Sequence, residues 1–441
     1  MRDFLVLALV FSSLPFCFFR PYMGILVWSW ISYMNPHRLT WGTAYHFPIA
    51  QCVAVMTLLG FIFSGDRKRL PMERETILML LLWALFTITS FFSLTPEYAW
   101  LQWQSVSKIL LMTFVTMMLF IDKKKLRYLL LTITFSVGFY GVKGAIFAVS
   151  TAGKYRVYGP PGTFLGDNND LALGLLIILP IAFFLARDEL NQKLRMILRG
   201  VFFLSIAAVV FTYSRGGFVG LTALTLIYLV KTKKKLWASV IVLVSVCLTL
   251  SFVPGKWFER MGTVVEYQNY QLEGSIRGRL NAWKFAWNLA LDRPLSGGGF
   301  DAFQRDAFEI YAPDPADFHD AHSIYFEMLA EHGFIGLGLF LTLLASSVLS
   351  MHELKKKYGN VQSLEWIRNY CDLLQMSLFA YIVCGAFLGR AYFDLFYHLV
   401  ALVVILKAIV REEYLVVSDN EKQDEPAYSG AMIPSGVVAS K

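Results

Sequence analysis

Blocks of near-continuous apolar residues recur along the chain at about 45–64, 76–94, 106–122, 126–150, 169–187, 199–214, 217–230, 237–253, 333–351, 367–388 and 392–410. As helices they are long enough to cross roughly 30 Å of hydrocarbon. Residues 3–34 add either one long, proline-broken span or a tight hairpin at Arg20-Pro21. The pattern therefore predicts 12 or 13 spans, with 12 the preferred count. One long polar stretch, residues 254–332, interrupts these blocks. Within it Leu280, Trp283, Trp287 and Leu291 share one helical face, and Pro294 with Gly297, Gly298 and Gly299 ends that helix. Such an amphipathic helix is expected on the membrane surface or the bundle rim. A second helix is expected from Ala321 to Glu331, with Asp320 as its N-cap and Gly333 as its end. From Arg411 the chain turns polar, and residues 418–441 have no periodic apolar pattern. The expected organisation is a membrane domain over 1–410, the 254–332 loop within it, and a disordered cytoplasmic tail over 411–441.

Composition agrees with this pattern. Of 441 residues, 56% are hydrophobic and 16% charged, with a mean hydropathy of +0.52. Soluble domains run near about 45–50% apolar and about 25% charged. The fold class is thus an all-α integral membrane protein of about 12 transmembrane helices with one long, partly helical periplasmic loop. Orientation follows from Lys and Arg in the short connections. Arg67, Lys68, Arg69 and Arg74 form one basic cluster, and Lys123 to Lys125 with Arg127 another. The alternation continues through Lys193, Arg195 and Arg199, then Lys231 with Lys233 to Lys235, then Lys355 to Lys357. These loops are expected in the cytoplasm. Those near Thr95, Lys154, Arg215 and Arg390, and the 254–332 loop, then face the other side, which in a bacterial inner membrane is the periplasm. The net charge of +8 lies mostly in these clusters, so no nucleic-acid partner is expected. All five cysteines fall in apolar spans and read as packing residues, without a zinc or disulfide spacing. The first span lacks a small-residue cleavage site and is expected to be retained.

Candidate chemistry gathers in the outward segments. Arg277 and Arg279 are expected at a helix start, where exposed N–H groups and the guanidinium fork both favour a phosphate. Lipid headgroups are the alternative partner. His322, expected in the first turn of the second helix, would be kept neutral by the helix N-terminus and able to accept a proton; an ordinary interfacial histidine is the other reading. A rival cation site could draw on Asp314, Asp317, His319, Asp320 and His322, although no established metal-ligand spacing is present. Arg215, in Tyr213-Ser-Arg-Gly-Gly, sits at a membrane boundary where an anionic partner would offset the cost of its charge. Asp167 and Asn168 could bind sugar hydroxyls or merely cap the helix that follows. Lys143, an intramembrane charge, is either functional or snorkels outward. Asp394 and His398, spaced i, i+4, read as a buried structural pair.

The motifs resemble the O-antigen ligase and polymerase superfamily of bacterial inner-membrane glycan transferases. The carrying residues are Gly159-Pro-Pro-Gly-Thr-Phe-Leu-Gly-Asp-Asn-Asn-Asp, Tyr213-Ser-Arg-Gly-Gly, Gly278-Arg-Leu-Asn-Ala-Trp, Arg293-Pro-Leu-Ser-Gly-Gly-Gly-Phe, and the run from His322 to Gly336. The opening Tyr33-Met-Asn-Pro-His-Arg-Leu-Thr-Trp-Gly is similar to O-glycosylation ligases associated with exosortase systems. The resemblance implies transfer of a preassembled glycan from undecaprenyl diphosphate to an acceptor hydroxyl, without metal or other cofactor. For ligases proper the acceptor is lipid A-core oligosaccharide. By matching position, Arg215 and Arg279 would hold the diphosphate and His322 would be the base. The same chemistry would serve a protein O-oligosaccharyltransferase or a glycan polymerase. A polysaccharide or lipid transporter would instead favour charges deep in several spans.

Overall fold

The computed structural model describes residues 1–65, 68–232 and 273–424. The span expected at 237–253 and the first part of the long loop, 254–272, lie outside the described residues. Among the described residues the chain is helical and has no strand. The helices are α1 (Arg2–Phe19), α2 (Pro21–Met34), a short α3 (Thr43–His46), α4 (Ile49–Phe63), α5 (Arg74–Phe91), α6 (Pro96–Leu119), α7 (Lys123–Ser150), α8 (Asn168–Asp188), α9 (Gln192–Phe211) and α10 (Arg215–Lys231). They continue as α11 (Glu273–Asp292), α12 (Arg305–Tyr311), α13 (Ile324–Tyr358), α14 (Trp366–Gly385) and α15 (Asp394–Asp424). Six of them, α1, α5, α7, α8, α9 and α13, are long and apolar enough to cross a membrane. The chain is a multi-pass membrane protein. α15 runs past Arg411, where a disordered tail was expected to begin, as far as Asp424.

Residues 3–34 form the hairpin rather than the preferred single span. Pro21 cannot donate to the end of α1 and instead opens α2, where its missing N–H costs nothing. Asp3, at the start of α1, accepts from the backbone N–H of Gly42 at 3.0 Å and Ala44 at 3.2 Å, just beyond the end of α2. The two helices therefore run antiparallel, and both pack on α4.

α8 is buried along nearly its whole length, as is α15 from Leu395 to Leu406. A helix apolar on every face belongs inside a bundle. The ends of the bundle differ in charge. At one end the basic clusters meet carboxylates from neighbouring helices: Arg74 with Glu353 at 2.7 Å, Lys355 with Asp372 at 2.8 Å, Lys407 with Glu73 at 2.9 Å, and Arg127 with Glu189. Lys125 lies over the Tyr22 ring at the same end. At the other end the segments near Ser93, Tyr213, Gly298, His322 and Arg390 come together. This grouping is the one the basic-loop alternation predicts.

α11 and α12 form a small second core of Ala282, Phe285, Ala286, Leu289, Phe303 and Phe308. The face read from the sequence as meeting the membrane surface or bundle rim is a different one: Leu280, Trp287 and Leu291 remain exposed there, and Trp283 stacks on Phe326 at 4.8 Å. The helix is apolar on two sides, one for its own core and one outward. The Pro294–Gly299 turn docks on a break in α13 at Gly333, whose φ is 63°. Gly298 N–H donates to Ala330 O at 2.8 Å, Gly299 N–H to Glu331 O at 2.9 Å, and Phe334 N–H to Pro294 O at 2.9 Å. A Cβ on Gly297 would sit 2.5 Å from the Ala330 carbonyl oxygen, so this backbone-on-backbone contact requires glycine.

Candidate active site

Five segments bring polar side chains to one region, at the bundle end opposite the basic clusters. The first is the start of α8. Asp167 caps this helix, accepting from Asn169 N–H at 2.8 Å, and its side chain is exposed. Asn168 is buried and donates to Thr212 O at 2.8 Å, tying α8 to the α9–α10 turn. Of the two candidates for sugar binding, Asn168 thus has its amide N–H in a structural bond. Asp170, one turn further, is buried.

The second segment is the α9–α10 turn. Tyr213 is in the left-handed region, with φ of 54°, and its hydroxyl donates to Gly153 O. Ser214 then caps α10 by accepting from Gly217 N–H at 3.0 Å. Together these set half-buried Arg215 at the first position of α10.

α11 supplies the third segment. Because α11 begins at Glu273, Arg277 and Arg279 lie within the helix rather than at its start, and the phosphate reading loses its helix-terminus argument. The two also part company. Arg277 is exposed and ion-paired with Asp314 at 2.7 Å, pinning the 312–320 loop together with Asn281, which donates to Asp314 O at 2.7 Å. Arg279 is half-buried, and its Nε is buried without a hydrogen-bond partner. A buried guanidinium donor left unpaired is costly unless a ligand accepts from it. Arg279 faces Arg215, and burial first, then Arg215, lowers its pKa from the usual value. Two facing cations favour an anion between them.

His322 lies just before α13, outside its first turn. Ser323 is the N-cap, and His322 takes a left-handed backbone with φ of 44°. Asp320 caps nothing beyond its neighbour, accepting from Ala321 N–H at 3.0 Å. The imidazole pKa is lowered from its ordinary value chiefly by burial; Asp320 opposes this, Arg279 reinforces it, and Asp170 and Asp167 oppose it. Neutral His322 is therefore favoured, as expected, but by burial and not by a helix terminus.

The last segment, Gly389-Arg390-Ala391 between α14 and α15, was not singled out from sequence as part of a site. A Cβ on Gly389 would lie 3.4 Å from His322 Cα and 3.6 Å from a Glu327 carboxylate oxygen, so this backbone passes directly against the histidine. Arg390 forms an ion pair with Asp170, and Ala391 N–H donates to Glu327 Oε2 at 3.0 Å. Deeper in the bundle, Tyr392 donates to Glu331 and bonds His332 Nε2 at 2.8 Å, while His332 Nδ1 meets Thr89 at 2.7 Å. A lone arginine between apolar runs, the feature that marked Arg215, marks Arg390 too.

Other candidates lie elsewhere. Lys143 is exposed on α7, and none of the described contacts joins it to this region. Asp394 and His398 are both buried, but His398 bonds the Tyr33 hydroxyl and Asp394 accepts from Leu395 N–H at 2.8 Å, so they are not partners as expected. The rival cation cluster is not assembled: Asp314 faces Arg277, Asp317 pairs with His319 at 2.8 Å, and no group of three ligand-type side chains converges among the described residues.

Residues 200–341, which include Arg215, Arg279 and His322, match a family described as O-antigen ligase. Residues 1–190 match a family of unknown function. No curated protein matches the chain. The first match supports membership of the O-antigen ligase superfamily, as the motifs' resemblance implied. At family level it supports glycosyl transfer of the ligase or polymerase type, with a lipid-linked glycan donor and a lipid acceptor.

Proposed function

We propose that this chain, whose 200–341 segment matches the O-antigen ligase family, transfers a preassembled glycan from undecaprenyl diphosphate to a hydroxyl of lipid A-core oligosaccharide at the periplasmic face of the bacterial inner membrane. The observation that carries the reading is the juxtaposition of Arg279, with its unpaired buried Nε, facing Arg215 and beside a histidine whose neutral form is favoured. In this reading neutral His322 takes the proton from the acceptor hydroxyl as its oxygen attacks the anomeric carbon. The bond from that carbon to the diphosphate oxygen breaks, and its electron pair leaves with undecaprenyl diphosphate. Attack opposite the leaving group inverts the anomeric configuration. Arg215 and Arg279 stabilise the charge developing on the diphosphate, the role that preorganised cations fill in phosphate chemistry. His322 then passes its proton to solvent. Cleavage of the glycosyl-diphosphate bond supplies the driving force, and the arginines supply the positive charge that a metal ion would otherwise provide.

A protein O-oligosaccharyltransferase uses the same donor and chemistry. The Tyr33–Gly42 segment favours this second reading through its similarity to exosortase-associated ligases. The purified protein, given an undecaprenyl-diphosphate glycan and separately lipid A-core or a pilin-like protein, tests the choice. Glycosylated lipid A-core is the expected product; glycosylation of the protein alone would replace the first reading by the second.

A further inference from the structure

Resting on the lipid-diphosphate reading above, we propose that Arg390 is a third cation for the donor diphosphate and that Asp170 is its resting partner. Donor binding draws the guanidinium from Asp170 to a phosphate oxygen and leaves the Asp170 carboxylate facing His322. The donor then primes the base, and transfer proceeds with donor bound first.

Arg390 is only partly engaged by protein. One end of its guanidinium pairs with Asp170, while its Nε is buried without a partner, as is that of Arg279. Two guanidinium groups with unpaired buried donors at one site suit a ligand rich in acceptor oxygens. The backbone around Arg390 is fixed: Tyr381 donates to its carbonyl at 2.9 Å, Ala391 N–H bonds Glu327, and Gly389 abuts His322. The side chain alone is left to change partners. A third arginine matches the further negative charge that develops on the diphosphate as the glycan leaves.

Asp170 is buried, with a side chain 9% exposed, so it is poorly placed to lose its cation to water. Breaking a buried pair is strongly unfavourable when the remaining charge has no substitute partner. His322 provides the substitute. The charged groups facing His322 are Asp320, Arg279, Asp170 and Asp167; those facing Arg390 are Asp170, Glu327 and Asp320. With Arg390 on phosphate, Asp170 no longer shares its charge with a guanidinium and stabilises the imidazolium that forms as the acceptor is deprotonated. Acceptor deprotonation without a donor is disfavoured for the same reason.

The test measures binding of undecaprenyl diphosphate to the purified full chain, together with transfer at saturating donor. Arg390→Gln should weaken binding about tenfold, the loss of one charge-assisted hydrogen bond. Asp170→Asn should bind as well as the unaltered protein or more tightly, because the competing partner is gone, yet transfer more slowly. The double variant should bind like Arg390→Gln alone. Arg390→Lys, which retains the ion pair and guards against misfolding of the other variants, should keep the fold and weaken binding. Parallel weakening of binding in Asp170→Asn and Arg390→Gln would reduce the pair to a structural bridge and overturn the inference alone. Failure of the unaltered protein to bind, or binding indifferent to Arg279→Ala, would overturn the lipid-diphosphate reading and this inference with it.

Discussion

At the scale of the residue, the proposed transfer depends on keeping one histidine neutral among several charges. Burial lowers the pKa of His322 below its ordinary 6.5, so the neutral, proton-accepting form persists to lower pH than in an exposed histidine. Activity governed by the free enzyme should accordingly fall only as pH drops through a value below 6.5; a kcat/KM profile with its acidic limb at or above 7 would contradict this. His322→Ala should lower transfer by about 10²- to 10⁴-fold, the usual loss for a general base, with donor binding retained. Near-normal turnover in that variant would remove the base assignment. Arg279→Lys should recover only part of the activity of the native residue, since an ammonium lacks the planar fork; full activity would indicate a diffuse charge role. His322, Arg215 and Arg279 were legible as candidates from residue type and position between apolar runs. The cause of His322 neutrality was not, because the left-handed turn at 322 that removes it from the helix is a tertiary outcome. Arg277 and Arg279 look alike in sequence, and only the placement of Asp314 separates the anchor from the site residue.

Helix α11 and the break in α13 show how an element positions the chemistry. The Gly297–Gly299 backbone bonds Ala330 and Glu331 just after the His322 turn, so α11, which carries Arg279, is joined to the helix that follows His322. Gly297→Ala would combine a positive φ with a methyl group 2.5 Å from the Ala330 oxygen. It should destabilise this junction by about 1–3 kcal/mol and slow transfer, with thermal unfolding followed alongside activity; an unchanged melting temperature and rate would show that the junction does not hold the site. The existence of α11 and its end at the glycine run could be read from spacing. Its inward face could not, because Leu280, Trp287 and Leu291 on one side and Ala282, Phe285 and Leu289 on the other both repeat at helical intervals. Periodicity identifies an apolar stripe but does not say which of two stripes meets protein. The hairpin of α1 and α2 was one of two arrangements that Arg20-Pro21 allowed, and contacts from Asp3 to the 42–44 turn decide between them.

Across the whole molecule, the separation of charge between the two bundle ends follows directly from the sequence, because the basic clusters were already periodic with the apolar blocks. The partners that gather them, such as Glu353 for Arg74 and Asp372 for Lys355, come from distant helices and carry no local signature. Single cysteines introduced at Tyr158 and at Lys356, in a chain whose described native cysteines lie at Cys17, Cys52, Cys371 and Cys384, should react with a membrane-impermeant maleimide from opposite faces of the membrane. Labelling of both from one face would reverse the orientation on which the periplasmic reading depends. The central claim, that Arg215, Arg279 and His322 transfer a lipid-linked glycan, is tested most directly by one reconstituted reaction. The purified chain is mixed with glycan on undecaprenyl diphosphate and lipid A-core in excess EDTA, and glycosylated acceptor and released undecaprenyl diphosphate are both measured. Expected are equal amounts of the two products, both lowered at least about 10²-fold by His322→Ala; no transfer by the unaltered chain, or transfer lost to EDTA and restored by a divalent metal, would contradict it.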